Sequence, residues 1–536
     1  MSRTSRRHLL RLLLASPFLA RAASADPSKP FSDTKQFTLL HSNDPHGHLL
    51  PFSYPDKVAP GSYIAQMPAH RNIGGLAHRA AAIQKIKKRE KNVKVFDCGD
   101  AMDGTPFSVE YLGKADYDAM SLAGFDYGTL GNHDFNMTAA QFKEMVGHIK
   151  YPIYLANVYN QSDDKPAFTP FVIENWDGVR VAIFGLTTYS TRTYKALAEA
   201  YKIREPMSVA RELVPALRKQ ADLLVLISHN GYDEDVKMAQ EIPGIDVIVG
   251  AHSHTRLPVG AYQVANRPGK ADPTGTVIVQ AHCWGGELGR VDLEVSKNTE
   301  RDRWQITRYS ARLLPITSDM PADKAVAATV ARYWEPIQVK YGEVLGTATE
   351  EFVELEGDDP TNYYLMTDAI HAGLKAAGSD ADFELENFGG VRAAVLKGPI
   401  TRSALLEVDP FTNTIFTFKI KGGDLKKLLQ YTRPAPSRSL RYVATRVAPT
   451  TPEARPTWTL TEATLNGKPI DDDTVYRGAA SSYYFTGQVK RYAIDAKDTG
   501  IMRLVYLADY IKKNTPISPT PDGRIKLVGG SAYDGA

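Results

Sequence analysis

The chain has 536 residues, too many for one ordinary hydrophobic core, and its 43% hydrophobic and 23% charged content matches a globular protein with two or three cores. Its formal charge of +3 comes from the first 25 residues, which carry five arginines and no acid; the remainder has 59 Lys plus Arg against 61 Asp plus Glu. That balance excludes the basic surface a nucleic-acid polymer needs.

Residues 1–25 read as an export leader. Ser5-Arg6-Arg7-His8-Leu9-Leu10-Arg11 is a twin-arginine-like basic region, Leu12 to Ala20 is apolar, and Ala23-Ser24-Ala25 offers a small-residue cleavage site. The apolar stretch is too short to span a bilayer, and no cysteine follows it for lipid attachment. The expected mature protein is periplasmic or secreted, exported by the twin-arginine route, with no stable membrane insertion.

After the leader, strands alternate with helices up to about residue 315, the pattern of an α/β layer fold. Phe37-Thr38-Leu39-Leu40 and Val93-Lys94-Val95-Phe96 read as buried strands, and Gly75 to Ile86 between them has helical apolar spacing. Met207 to Leu217 repeats that spacing, and two further strands, Leu223 to Ile227 and Ile245 to Val249, follow it. Val277 to His282 is one more strand. Pro321 to Tyr341 predicts a helix, Tyr363 to Ala377 another, and Asn413 to Ile420 alternates like a strand. Proline and basic residues between Arg433 and Arg446 predict a mobile surface loop. Cys98 and Cys283 each lie at a strand end and read as small buried residues, with a disulfide the less favoured alternative.

Where the apolar runs stop, chemistry-bearing residues start. Five segments do this: Asp44-Pro45-His46, Gly99-Asp100, Gly131-Asn132-His133-Asp134, Ser228-His229-Asn230 and Gly250-Ala251-His252-Ser253-His254. Loops above a sheet are where ligands and catalytic groups are held. Carboxylate, imidazole and amide donors without thiolates suit borderline divalent ions such as Zn²⁺ or Mn²⁺. The candidate ligands Asp44, His46, Asp100, Asn132, His229, His252 and His254 exceed what one tetrahedral ion accepts, so two ions about 3.5–4 Å apart are expected, bridged by a carboxylate such as Asp100. Residues two apart on extended chain share a side, so Asp44 and His46 can face one point, as can His252 and His254. The remaining histidines, His41, His48, His70, His78, His148 and His371, read as surface or packing residues; His282 is either that or a contact near the site.

In order and spacing these five segments resemble the motif set of the calcineurin-like metallophosphoesterases. Thr38-Leu39-Leu40-His41-Ser42-Asn43-Asp44 and the distant Asn387-Phe388-Gly389-Gly390-Val391-Arg392 narrow the resemblance to the secreted two-domain 5′-nucleotidase family, which includes periplasmic UDP-sugar hydrolases and cyclic-nucleotide phosphodiesterases. The resemblance implies an α/β protein: a four-layer α/β/β/α metallophosphoesterase sandwich over 36–315, a linker helix over 316–345, and an α/β (α+β) substrate-binding domain over 346–536. It assigns Asp44, His46 and His254 to one metal and Asn132, His229 and His252 to the other, with Asp100 bridging. His133 is then the catalytic histidine, oriented by Asp134, and the reaction is attack of a metal-activated water on the phosphorus of a nucleotide phosphate ester. Arg392 would take the substrate phosphate and Asn387 the base or sugar, while Phe411, in Pro410-Phe411-Thr412-Asn413, and Tyr483 would sandwich the base. Rotation about 321–341 would carry substrate to the metals. Metal identity and oligomeric state are left open.

Two departures from the family pattern concern the nucleotide pocket. Relatives carry an arginine where this chain has Gly357-Asp358-Asp359-Pro360, and their Gly-Gly-Asp-Gly is replaced by Thr486-Gly487-Gln488-Val489. Exchanging arginine for acid in a phosphate pocket is not neutral. Two alternatives therefore stand beside nucleotide hydrolysis: a dimanganese thiosulfohydrolase of sulfur oxidation, and an inactive nucleotide-binding protein.

Overall fold

The computed structural model describes residues 31–56, 64–263, 275–300, 302–353, 359–448 and 457–530. The 1–25 leader, with its twin-arginine region, and Gly357-Asp358 lie outside the described residues. Two compact units result: one from residues 31–52, 72–103 and 111–331, the other from 53–71, 104–110 and 332 onward. Two short segments inside the first stretch of sequence thus belong to the second unit. Among the described residues no helix is long and apolar enough to cross a membrane.

The first unit contains two sheets. Strands β1 (Phe31–Ser42), β2 (Val93–Asp97) and β3 (Tyr127–Gly128) run parallel. β4 (Phe171–Trp176), β5 (Val179–Thr187), β6 (Leu223–His229), β7 (Val247–Val249), β8 (Ala261–Gln263) and β9 (Thr276–Val279) form the second sheet, in the order β8-β9-β7-β6-β5-β4. β10 (Glu287–Asn298) and β11 (Arg303–Pro315) complete the first in the order β11-β10-β1-β2-β3. Phe37, Leu39, Val291 and Leu293 from one sheet share a core with Val181, Ile183, Val225, Ile227 and Val249 from the other. Intervening residues of the second sheet, including Phe184, Leu226 and Ile248, meet Met207, Val214 and Leu217 of a helix at Pro206–Arg218. β5, β6 and β7 are therefore apolar on both faces, because each is covered twice. The helix at Leu76–Arg89 buries Leu76, Ala80 and Ile83 and packs on β2.

A helix occupies Lys324–Tyr341, at the 331/332 division between the units. In the second unit, β12 (Phe383–Glu386), β13 (Thr414–Lys421), β14 (Ala435–Pro436), β15 (Val475–Ser481) and β16 (Ile494–Met502) form a sheet in the order β14-β12-β15-β13-β16. Helices α1 (Thr361–Ala376) and α2 (Arg503–Asn514) join its core through Tyr363, Met366, Ile370, Leu507 and Ile511. The predicted mobile loop over 433–446 is not found. Ala435 and Pro436 pair with Glu386 and Leu385, and Leu440–Val447 is a strand that buries Leu440, Tyr442 and Ala444 in alternation. The period-two apolar pattern outweighed the proline and arginine content.

β12 is buried along its whole length. Phe383 and Leu385 enter the apolar core, while both carboxylate oxygens of Glu384 have no hydrogen-bond partner among the described residues. Burial, then the neighbouring Glu386, push the Glu384 carboxyl well above its ordinary pKa of 4.5. A carboxyl more basic folded than unfolded favours folding least at high pH, so stability conferred below about pH 4.5 is lost as pH rises toward the folded value. Glu384→Gln is expected to raise the thermal midpoint of this unit at pH 8 while changing it little at pH 5, the gap reflecting up to about 1.4 kcal/mol per pH unit. Calorimetry at the two pH values checks this; an equal shift at both counts against it.

Candidate metal centre

Each candidate donor sits at or just beyond the C-terminal end of a strand. Asp44 and His46 follow β1, Asp100 follows β2, Asn132 and His133 follow β3, His229 ends β6, and His252 and His254 follow β7. Parallel pairing of β1 and β2 continues past their ends, with Asp44 N–H donating to the Gly99 carbonyl and His46 N–H to that of Asp100, both at 3.1 Å. Asp44, His46, Asp100, His252 and His254 all have φ between 46 and 74°. Side-chain-bearing residues avoid this left-handed region at a cost of about 1 kcal/mol or more each. Strain of that kind persists where the surrounding structure over-determines it.

The side chains converge as two groups. Donor atoms of Asp44, His46 and His254 lie within 4.8 Å of one another, as do those of Asp100, His229 and His252. His46 Nε2 is 3.1 Å from His254 Nε2, and His254 Nε2 is 3.5 Å from Asp44 Oδ1. Asp100 Oδ2 lies 3.1 Å from His229 Nε2 and 3.8 Å from His46 Nε2, within reach of both groups. Gly131 stands against that carboxylate: a Cβ there would come within 2.1 Å of Asp100 Oδ1 and 2.5 Å of the His229 ring. His46 Nδ1 contacts the Met102 carbonyl at 2.9 Å and His229 Nδ1 the Cys98 carbonyl at 2.7 Å. Those acceptors keep a ring proton on Nδ1 and aim each Nε2 at the cluster.

Several observations show that the donor set fits a divalent cation. Asn132 Oδ1 is buried without a hydrogen-bond partner among the described residues, while its Nδ2 donates to Tyr194 Oη at 2.8 Å. Fixed amide and imidazole orientations of this sort are what second contacts do for metal ligands. The field has the matching sign. Burial raises the Asp44 carboxyl, yet His254 and His229 outweigh it and hold the pKa at about 2. Burial likewise opposes charge on His229, but the Asp100 and Asp44 carboxylates hold its pKa up at about 10.

His133 lies beside this cluster, its ring 5.0 Å from that of His46 and nearly perpendicular to it. The expected orienting acid is corrected here. Asp134 does not meet the imidazole: its carboxylate accepts backbone N–H bonds from Gly131 at 2.8 Å, Asp100 at 2.9 Å and Ala101 at 3.0 Å. The carboxylate that meets the imidazole is that of Asp103, with Oδ2 3.0 Å from His133 Nδ1, and Asn136 Nδ2 donates to the same oxygen at 2.6 Å. His133 and Asp134 are sequence neighbours whose side chains leave the short helical turn at His133–Phe135 in different directions. Three residues past Gly99-Asp100, on a turn with φ 68°, Asp103 had no signal except proximity to that motif.

Comparison with known proteins separates the two halves of the chain. Residues 37–256 match the family model for calcineurin-like phosphoesterases and residues 344–494 that for the 5′-nucleotidase C-terminal domain. The chain belongs to the two-domain 5′-nucleotidase family. It is a metal-dependent phosphoric ester hydrolase, and the two donor groups form its divalent-metal site. It is 26% identical to protein UshA of Yersinia enterocolitica over 552 residues, which is 92% of this chain and 94% of that protein. The crystal structure of a 5′-nucleotidase precursor from Thermus thermophilus superposes with a TM-score of 0.79 at 25% identity, covering 92% of this chain and all of that one. Sulfate thiohydrolase SoxB, also from Thermus thermophilus, superposes with a TM-score of 0.73 at 19% identity over 93% of this chain and 97% of that one, a likeness of fold.

Residues expected to hold substrate in this 5′-nucleotidase-family chain all lie in the second unit. The Arg392 guanidinium sits 5.5 Å from the centre of the Phe411 ring. Asn413 Oδ1 accepts from Ser482 Oγ at 3.1 Å, next to Tyr483, which is 68% exposed. Asn387 instead turns toward its own loop, Nδ2 donating to the Phe388 carbonyl at 3.0 Å. Within the first departing stretch, Asp359 accepts from Tyr364 Oη at 3.1 Å and Gly523 N–H at 2.8 Å; in the second, Val489 is fully buried. His282 is buried, its carbonyl accepting from Asn43 Nδ2, and Cys98 and Cys283 are buried and not joined by a disulfide.

A divalent ion binding at Nε2 of His229 must displace the proton that Asp100 and Asp44 hold there. Affinity of metal-stripped protein for Mn²⁺ or Zn²⁺ is therefore expected to climb from pH 6 to 9, by up to about tenfold per unit. Equilibrium dialysis across that range checks it, and a flat profile counts against it.

Proposed function

We propose that this chain is an exported hydrolase of nucleotide phosphate esters, acting on 5′-monophosphates, UDP-sugars or 2′,3′-cyclic diesters. The observation that carries this reading is the pair of buried donor groups sharing Asp100, with an acid-held histidine alongside. In this reading Asp44, His46 and His254 hold one divalent ion, Asn132, His229 and His252 a second, and Asp100 serves both. Bound ions supply a water of lowered pKa and neutralise charge on the phosphate oxygens. Export rests on the 1–25 leader, with its twin-arginine-like region.

His133 carries a proton to the leaving oxygen. Its Nδ1 is held by Asp103, which fixes the tautomer and orients the ring, leaving Nε2 as the nitrogen that gives up the proton. Asn136, donating to the same Asp103 oxygen, limits rotation of that carboxylate. Asp134 acts on the backbone, clamping the turns that bear Asp100 and Asn132. In the second unit, Arg392 attracts phosphate oxygens as a rigid fork of donors, and the faces of Phe411 and Tyr483 take the base, each stacking contact giving about 1–3 kcal/mol.

Replacing Asp103 by Asn removes the charge while keeping the shape. kcat is expected to fall about 10²- to 10⁴-fold with KM little changed; a wild-type kcat in Asp103→Asn would return the orienting role to some other group. Substrate class is tested on metal-reconstituted mature protein with AMP, UDP-glucose, 2′,3′-cyclic AMP and a sulfonate-charged carrier protein. Turnover of the nucleotides supports the proposal. Turnover of the carrier alone would move the chain to thiosulfohydrolysis, and no turnover of any substrate would make it a binding protein.

A further inference from the structure

Arg503, the first residue of α2, is a buried cation outside the metal centre, its side chain 0% exposed. Nε and Nη2 donate to the two oxygens of Asp409 at 2.8 and 2.6 Å, Nη2 also donates to the Gly390 carbonyl at 2.5 Å, and Nη1 lies 2.8 Å from Glu386 Oε2. Its backbone N–H donates to the Asn413 carbonyl at 3.0 Å. These partners lie on two separate loops. Glu386 and Gly390 lie on the segment that carries Asn387 and Arg392. Asp409 and Asn413 bracket Phe411, whose own N–H donates to Asp409 Oδ1 at 3.3 Å. The Phe411 ring centre is 5.8 Å from the Arg503 guanidinium and 5.5 Å from that of Arg392.

A planar fork of N–H donors can serve a bidentate carboxylate, a second carboxylate and a carbonyl together, whereas a lysine ammonium concentrates its donors at one point. We propose that Arg503 is a positioning residue that fixes the register of the two substrate loops, so that the Arg392 guanidinium and the Phe411 face meet one nucleotide at the same time. The proposal rests on the reading that these loops grip a nucleotide. Tyr363 of α1 braces the first loop, its hydroxyl accepting from Gly389 N–H at 2.7 Å, and Arg392 N–H donates to the Val408 carbonyl at 2.9 Å; Arg503 adds a side-chain tie that reaches both loops at once.

The test uses full-length, metal-loaded protein with AMP and with ribose 5-phosphate, which lacks the base. Arg503→Lys is expected to raise KM for AMP about tenfold or more, with kcat within about threefold of wild type. The preference for AMP over ribose 5-phosphate shrinks by the same factor, while a thermal melt reports folding. Phe411→Ala serves as the reference. If it raises KM for AMP and Arg503→Lys does not, the positioning role is overturned and the loop reading stands. If neither raises KM, the loop reading falls and the proposal with it. Should Arg503→Lys fail to fold, Gly390→Ala tests the same tie, since its Cβ would come within 2.7 Å of Glu386 Oε1 and 3.2 Å of Arg503 Nη1. An unchanged KM for AMP in that variant overturns the proposal.

Discussion

The carboxylate of Asp134 is the joint on which the metal centre depends. It is fully buried and binds three backbone N–H groups drawn from two turns, Gly131 on one and Asp100 and Ala101 on the other. Burial and the charge of Asp100 push its pKa up to about 7, and the backbone bond from Gly131 works against that rise. Closing this joint brings Gly131 against Asp100 and lets His133 N–H donate to Asp100 Oδ1 at 2.8 Å. Asp100 can then stand between the two donor groups. Hydrogen bonds to a charged acceptor are among the stronger ones available to a protein interior, which suits a role of holding strained turns in place.

Much of this centre was legible because its logic is local. A buried parallel strand reads as a continuous apolar run, and a donor placed where the run stops must appear at the sheet's edge. Six such donors do converge, and strand pairing explains how residues as far apart as Asp44 and His254 meet. Asp103 was not legible. Nothing in its neighbours distinguishes it from an ordinary turn aspartate, and its meeting with His133 depends on how two loops cross. Adjacency favoured Asp134, but adjacent residues in a helical turn diverge. The Arg433–Arg446 stretch shows the opposite failure, since its alternation of Leu440, Tyr442 and Ala444 was readable and was outvoted by composition.

The second unit handles buried charge differently. Where the metal centre gathers carboxylates and imidazoles around a cation site, the β12 region sets Glu386 and Asp409 around one guanidinium and gives the Glu384 carboxylate no hydrogen-bond partner among the described residues. Such a network is weak evidence for stability and stronger evidence for a defined local geometry. Described residues of the two stretches that depart from the family pattern are likewise committed to packing, with Asp359 bonded to Tyr364 and Gly523 and Val489 in the core.

Donors in the first unit are placed by main-chain turns, and a methyl group at Gly131 would collide with the shared carboxylate. The grip proposed for the second unit uses side-chain tips instead, Arg392, Phe411 and Tyr483, the last exposed to solvent. Such tips can be exchanged one at a time without moving a backbone. A lineage built this way keeps its reaction fixed while its diet drifts.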